Sequence, residues 1–234
     1  MYKATGVDEM ILYHGNQDYN LKPEFNRGSL NNDYGKGFYT TPDIELAKEW
    51  SYSNYNFGKN YENNHWLHTF DLKDSNLKIF DLSKIDILYW IAQLYKFRII
   101  DGLSGLQEKR KNDFLELFYK DLTKYDVIIG WRADDSYFRY ARDFLNVSIT
   151  KNELEKAVKL GNLGIQYFIQ SKKAFSEDVL VRVAKPILVS EEYLHKYNDR
   201  DRAAREEYGK RRKNSVDLDG DTIISVLEKG NIYE

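Results

Sequence analysis

Residues 33–50, DYGKGFYTTPDIELAKEW, constrain the fold more than any other stretch, because a glycine-bracketed turn, a strand and a helix start must follow one another almost without spacer. Gly35 and Gly37 flank Lys36, and glycine there permits tight backbone geometry or close approach of a ligand to the main chain. Phe38-Tyr39-Thr40-Thr41 is aromatic and β-branched and predicts a short strand. Thr41-Pro42-Asp43 then predicts a helix opening with Thr41 as hydroxyl cap and Pro42 at the first helical position, followed by Ile44, Leu46, Ala47 and Trp50 at helical spacing. Tyr39 therefore leaves a strand just before a helix whose later turn carries Trp50, so the two aromatics can face one slot. Taken alone, a Gly-x-Gly before an aromatic strand is more often a turn and a core strand than a site.

The remaining chain predicts alternating strands and helices. Residues 10–14 are apolar and end in His14-Gly15, a strand exit; 16–32 are polar, with Pro23, Gly28 and the cation Arg27, a loop. Residues 51–64 lack periodicity and predict a loop over a pocket mouth, whereas 66–72 and 77–82 alternate as strands. A helix is expected over 84–97 with Ile85, Leu88, Trp90, Ile91 and Leu94 inward. A charged turn region (102–113) leads to a short helix carrying Phe114, Leu117 and Phe118. Residues 125–130, YDVIIG, are the clearest buried strand, delivering Arg132-Ala133-Asp134-Asp135 ahead of a helix over 136–144 with Tyr137, Phe138 and Ala141 inward. Asp134 and Asp135 fit a helix cap at least as well as substrate contact. Thr150 caps a helix over 151–160 that ends at Gly161, and 164–170 form a strand with Gln166, Phe168 and Gln170 on one face. Pro186 interrupts the apolar run 178–189, residues 191–213 form a charged helix with a solvated face, and a turn and a short amphipathic helix with Ile223, Ile224, Val226 and Leu227 end the chain.

Composition narrows the chemistry. With no cysteine, a disulfide scaffold, a thiol nucleophile and a cysteine-based zinc site are all excluded. Of the four histidines, His65 and His68 are paired in sequence but lack an adjacent acidic ligand, so no metal is expected. The 35 basic and 37 acidic residues leave a formal charge of -2, which creates no global field toward nucleic acid or membrane. No apolar run is long enough for a membrane span or a signal peptide, and a cytoplasmic protein, or an effector delivered by other machinery, is the expectation.

The combination of Leu12-Tyr13-His14-Gly15 with Tyr34-Gly35-Lys36-Gly37-Phe38-Tyr39-Thr40 resembles the NAD-dependent ADP-ribosyltransferase superfamily, in the branch shared by diphtheria toxin and the poly(ADP-ribose) polymerases. There a strand ending in His-Gly is followed by Phe-Gly-Lys-Gly-Ile-Tyr-Phe, and a second nicotinamide-stacking tyrosine lies eleven residues after the first; this chain has Trp50 at that distance from Tyr39. The Asp-Tyr-Gly-Lys-Gly-Phe-Tyr-Thr-Thr segment, Ala133-Asp134-Asp135 and the late Gln166-Tyr167-Phe168 look most like bacterial single-domain members of that superfamily.

The resemblance implies an α+β fold, a split antiparallel β-sandwich around an NAD cleft with surrounding helices. It would occupy residues 1–189 as a catalytic domain, with 190–234 as a C-terminal helical extension packed on it. It implies catalytic roles for His14, Tyr39 and Gln166 and NAD binding by Gly15, Asn16, Arg27, Gly37, Tyr39 and Trp50, with Asp134 and Asp135 toward substrate. NAD would be the substrate, and the acceptor a protein or nucleic acid. A toxin or effector role, held in check by a small antitoxin or inhibitor protein, belongs to the same implication. The departure is Gln166, where the superfamily has glutamate: an amide accepts a hydrogen bond but carries no charge, which bears against polymer formation more than against transfer of one unit. From the sequence, Gln166→Glu should preserve or raise turnover. Two alternatives stand beside mono-ADP-ribosyl transfer: a binding module for NAD or ADP-ribose without turnover, and an RNA 2'-phosphotransferase, which would need a second histidine and paired arginines in the pocket.

Overall fold

The computed structural model describes residues 9–53, 64–73, 76–133, 135–160, 164–214 and 220–230. In chain order the elements are β1 (Glu9–Asn16), β2 (Phe38–Thr40), α1 (Ile44–Trp50), β3 (Trp66–Lys73), β4 (Ile79–Asp81), α2 (Ile87–Phe97), α3 (Gly105–Phe118), β5 (Val127–Trp131), α4 (Asp135–Leu145), α5 (Lys151–Ala157), β6 (Ile165–Ile169), β7 (Leu180–Arg182), β8 (Ile187–Leu188), α6 (Glu192–Asn214) and α7 (Ile223–Lys229). The fold is α+β, with two four-stranded sheets.

The first sheet runs β1-β3-β7, with β8 also on β3, and all its pairs are antiparallel. The second runs β2-β6-β5-β4, and there the expectation of purely antiparallel sheets fails, because β4 pairs with β5 in parallel. A parallel pair needs a long crossover, which α2 and α3 supply between the two strands.

Strand alternation sorts the second sheet into two chemically different faces. Phe38, Val127 and Ile169 turn toward Leu12, Phe70 and Leu72 of the first sheet and form the sandwich core. Ile128 and Phe168 turn the other way, into a larger core with Leu88, Trp90 and Ile91 of α2, Phe114 of α3 and Phe144 of α4. Nine consecutive α2 residues, Ile87 to Tyr95, are buried, so this helix is enclosed on all sides rather than amphipathic. The C-terminal helices close the molecule. Tyr193 and Leu194 of α6 pack with Ala47 and Leu67, the Tyr208 ring packs tilted against Tyr140 at 4.0 Å, and Ile223 and Val226 of α7 are buried in the larger core.

Several local expectations are corrected. Asp43, not Thr41, caps α1, accepting from the Glu45 and Leu46 amides, because Thr41 is still extended and bridges to Tyr13. Ile85 is exposed and α2 begins at Ile87 behind the Asp86 cap. The charged stretch expected as a turn is largely helix, α3, opened by a reciprocal cap between Ser104 and Gln107. The run broken at Pro186 forms two short strands, β7 and β8. The expected loop over 51–64 falls mostly, at 54–63, outside the described residues, as do Gly161 and Asp134. No described helix is long and apolar enough to cross a membrane.

Gly37 is packed so closely that a Cβ there would lie 2.3 Å from the Phe168 ring and 2.6 Å from the Ile169 carbonyl oxygen. Gly37→Ala should therefore push β2 off β6 and destabilise the fold by about 1–3 kcal/mol in urea unfolding. Gly105→Ala, at the first position of α3 with no atom within 4 Å of the added carbon, should be neutral or stabilising by up to about 1 kcal/mol.

Candidate active site

Beside their packed faces, the two sheets are linked by an antiparallel backbone bridge between Tyr13 and Thr41. The Tyr13 amide donates to the Thr41 carbonyl at 2.8 Å and the Thr41 amide donates back at 3.0 Å. Beyond it β1 and β2 part, and a cavity of about 400 Å³ opens where they diverge, a volume in the range of small-molecule sites. His14, Gly15, Asn16, Tyr39, Trp50 and Gln166 all line it. Residues far apart in the chain thus meet at one place. The register explains the convergence: Tyr39 lies opposite Phe168, so Gln166 is its diagonal neighbour on the same face of β6, at about 7–8 Å.

His14 Nδ1 lies 2.7 Å from the Tyr39 carbonyl oxygen, an acceptor only, so Nδ1 carries the proton. Its Nε2 then accepts from the Asn16 amide nitrogen at 3.4 Å. Burial pushes the His14 pKa down to about 4, against the smaller opposing effect of the Tyr39 carbonyl, and the ring is neutral at pH 7. The site is therefore lined by a neutral imidazole, not a cation. Gly15 has a structural cause of its own: a Cβ there would lie 1.9 Å from the Ala47 carbonyl oxygen, so glycine lets α1 press against β1.

Tyr39 contributes its ring rather than its hydroxyl. The hydroxyl accepts from the Tyr34 amide at 3.1 Å and donates to the Gly35 carbonyl at 2.7 Å, tying off the glycine-bracketed turn, in which Gly35 has φ +85°. The ring rests on Phe168 at 4.8 Å. Trp50 departs from the expected sandwich, because the Arg132 guanidinium lies 4.5 Å from its ring centroid and covers one face of the indole.

Gln166 is buried, and its Nε2 donates to Asp33 Oδ2 at 2.9 Å and to the Trp131 carbonyl at 3.1 Å. Both partners are acceptors, so the amide has one permitted orientation, with Oε1 left to accept. The geometry bears against the expectation for Gln166→Glu, because a carboxylate there would face the Asp33 carboxylate and the Trp131 carbonyl.

Two other implied residues, Arg27 and Gly37, are not among the described residues that line the cavity. Arg27 is exposed and pairs with Glu24 at 3.0 Å, and Gly37 serves the β2–β6 contact. Asp134 lies outside the described residues, and Asp135 opens α4. His65 and His68 are not among the lining residues. His65 stacks on Tyr52 at 3.7 Å, and His68, opposite His14 in the β1–β3 register, accepts on Nδ1 from Arg182 at 2.8 Å. No cluster of three or more metal-ligating side chains occurs among the described residues.

The cavity also has walls that sequence reasoning did not single out: Asp33, Arg98, Arg132, Ser51 and, from α6, Tyr197. Asp33 was visible as the residue opening the glycine turn, but a turn-initiating aspartate carries no sign that it will be buried. Arg98 sits just past the end of α2 and Tyr197 on a charged helix, positions that ordinarily imply solvent.

An α+β protein with a polar cleft at the divergence of two strands is the class defined by this geometry. The chain belongs to the DUF3990 family, proteins of unknown function, whose model matches residues 10–179. That span contains every cavity residue except Tyr197. No curated protein and no solved structure matches the chain.

Removing the Tyr39 hydroxyl should separate fold stability from the role of its ring. Tyr39→Phe keeps the aromatic wall but strands the Tyr34 amide and the Gly35 carbonyl, and should cost about 1–3 kcal/mol in urea unfolding while leaving ligand affinity within about threefold. Burial also depresses the His68 pKa to about 4, so His14 and His68 both stay neutral in the folded protein at pH values where unfolded histidine, at 6.5, binds a proton. Stability should accordingly be full above about pH 6.5 and fall as pH drops toward about 4. His68→Gln, which keeps an acceptor for Arg182, should shrink the loss in urea midpoint between pH 7 and pH 5.

Proposed function

We propose that this protein is an NAD-dependent mono-ADP-ribosyltransferase, built on an ADP-ribosyltransferase-like split β-sandwich. The observation that carries the proposal is the convergence of His14, Tyr39 and Gln166 on one cavity, the three residues that the superfamily resemblance singles out, although the chain separates them widely. Transfer breaks the bond between nicotinamide and ribose through an oxocarbenium-like transition state, and the leaving ring is neutral. The site must hold the ring, orient the sugar and oppose developing positive charge; little proton transfer is required.

Each residue has a role that fits its geometry. The Tyr39 ring and the Gly15 backbone bound the nicotinamide, and the His14 and Asn16 side chains face a ribose hydroxyl. Gln166 Oε1 accepts from a second sugar hydroxyl. Arg132, with Arg98 beside it as the counter-ion of Asp33, gives the cleft the net positive charge a pyrophosphate needs. Because Gln166 is an uncharged acceptor, transfer of a single unit is favoured over chain extension. The acceptor is a protein or nucleic acid, the role that of a toxin or effector, and a small inhibitor protein would act by covering the cleft.

The arginine pair also answers one requirement of an RNA 2'-phosphotransferase. The second histidine does not follow, since His68 is committed to Arg182 outside the cavity.

Incubation with NAD labelled in the adenosine half, with free nicotinamide measured and label followed into protein and nucleic acid, tests the proposal. Gln166→Ala should lower kcat for nicotinamide release roughly tenfold, the worth of one neutral hydrogen bond, with KM within about threefold. Absence of nicotinamide release from the parent protein, with NAD still bound in calorimetry, would instead favour the binding-module reading.

A further inference from the structure

The least expected group in the cavity is a buried carboxylate next to the residue that lacks one. Asp33 is 4% exposed and touches three separate parts of the fold. Its Oδ1 accepts from Arg98 Nη1 at 3.1 Å, and its Oδ2 accepts from the Ala133 amide at 2.8 Å and from Gln166 Nε2 at 2.9 Å. Every one of these partners is a donor. A protonated carboxyl would need an acceptor, and none contacts it among the described residues, so the pattern calls for the carboxylate.

Gln166 is held on its other side by the Trp131 carbonyl, which also accepts from Tyr34 Oη and Trp90 Nε1, each at 2.9 Å. The amide is therefore clamped by an anion and a fixed carbonyl, and it cannot flip without placing its oxygen against two acceptors. An amide whose N–H is donated to a carboxylate is polarised toward its own oxygen, so Oε1 becomes a stronger acceptor, by about a tenth to a third, as in cooperative hydrogen-bonded chains.

We propose that Asp33 is a positioning residue that acts with Gln166 as one carboxylate-held amide, aiming and polarising Gln166 Oε1 at the sugar hydroxyl. The unit does at the third position what a lone glutamate would do by its own charge. The inference rests on the NAD-transfer reading above. Burial pushes the Asp33 carboxyl above the usual carboxylate range; Arg98, the Ala133 amide and Gln166 oppose that shift, and Arg98 fixes the rotamer so that Oδ2 rather than Oδ1 faces the amide. Other groups around the pair are Arg132 after β5, the Tyr34 and Tyr39 hydroxyls, and the neutral His14 across the cavity.

The test compares the parent, Asp33→Asn, Gln166→Glu and the double variant by kcat and KM for nicotinamide release from NAD between pH 5.5 and 9, buffers chosen to bracket neutrality as a rough range around histidine and carboxyl titration. In Gln166→Glu two carboxyls about 3 Å apart must share one proton, so activity should fall as pH rises and that proton leaves. The parent should show no such step. Asp33→Asn should lower kcat about tenfold with KM within about threefold, as for loss of one aimed hydrogen bond. Adding Asp33→Asn to Gln166→Glu removes the second carboxylate and should abolish the alkaline loss, so the two substitutions are non-additive.

A flat pH profile for Gln166→Glu in a parent that turns over NAD overturns the Asp33 assignment alone, and so do additive effects in the double variant. A parent that releases no nicotinamide overturns the transfer reading and the assignment with it. Should Asp33→Asn fail to fold because the Arg98–Asp33 ion pair is lost, the Gln166→Glu profile still decides.

Discussion

One bridge, Tyr13 to Thr41, governs the geometry of this protein. A continuous ladder between β1 and β2 would have merged the two sheets into one and left no cleft. A pair of reciprocal hydrogen bonds joins them instead at a single point, after which each strand follows its own sheet. The strand ends that diverge there carry His14 and Tyr39, and the chain cannot satisfy all its backbone groups in the gap with secondary structure. His14 takes up the Tyr39 carbonyl with its side chain, which at once satisfies that acceptor and sets the tautomer of the imidazole.

The same economy recurs on the cavity floor. Buried polar groups are costly unless each finds a partner, and half-satisfied networks are worse than apolar packing. Asp33, Arg98, Gln166, Ala133 and the Trp131 carbonyl draw on four parts of the chain, and the Asp33 carboxylate and the Gln166 amide nitrogen are each bonded at least twice. Such a network offers little net stability compared with well-packed apolar side chains. What it does provide is a unique arrangement of acceptors in a place where aliphatic residues would have filled the cavity.

The C-terminal helix α6 extends this logic outside the family's matched span. The Arg200–Glu49 ion pair and the Tyr193 hydroxyl on Glu45 hold it against α1, and Tyr208 donates to Asp143 of α4. Two faces of one charged helix are thereby committed to other helices, and Tyr197 between these attachments lines the cavity. A sequence pattern of dense Arg, Lys, Asp and Glu was consistent with a solvated helix because long charged side chains satisfy water and buried partners equally well.

The local chemistry of the chain determined much by itself. The aromatic strand at Phe38, the β-branched run at Val127, the alternation that puts Gln166 with Phe168, and the helix cap at Thr150 are short-range patterns of period two or of capping, and they stand as the sequence implied or close to it. His14, Tyr39, Trp50 and Gln166 were visible through motif and spacing. Tertiary structure alone decided the parallel β4–β5 pair, which depends on a crossover, and the exposure of Arg27, which depends on where a loop lies. It alone decided that Arg132 would cover the Trp50 ring and that Asp33, an ordinary turn residue by sequence, would be sealed beneath Gln166 with Arg98 as its counter-ion. The reason is physical: burial and ion pairing are properties of groups brought together from distant parts of the chain, and local periodicity records only which face a residue points to, not what will meet it there.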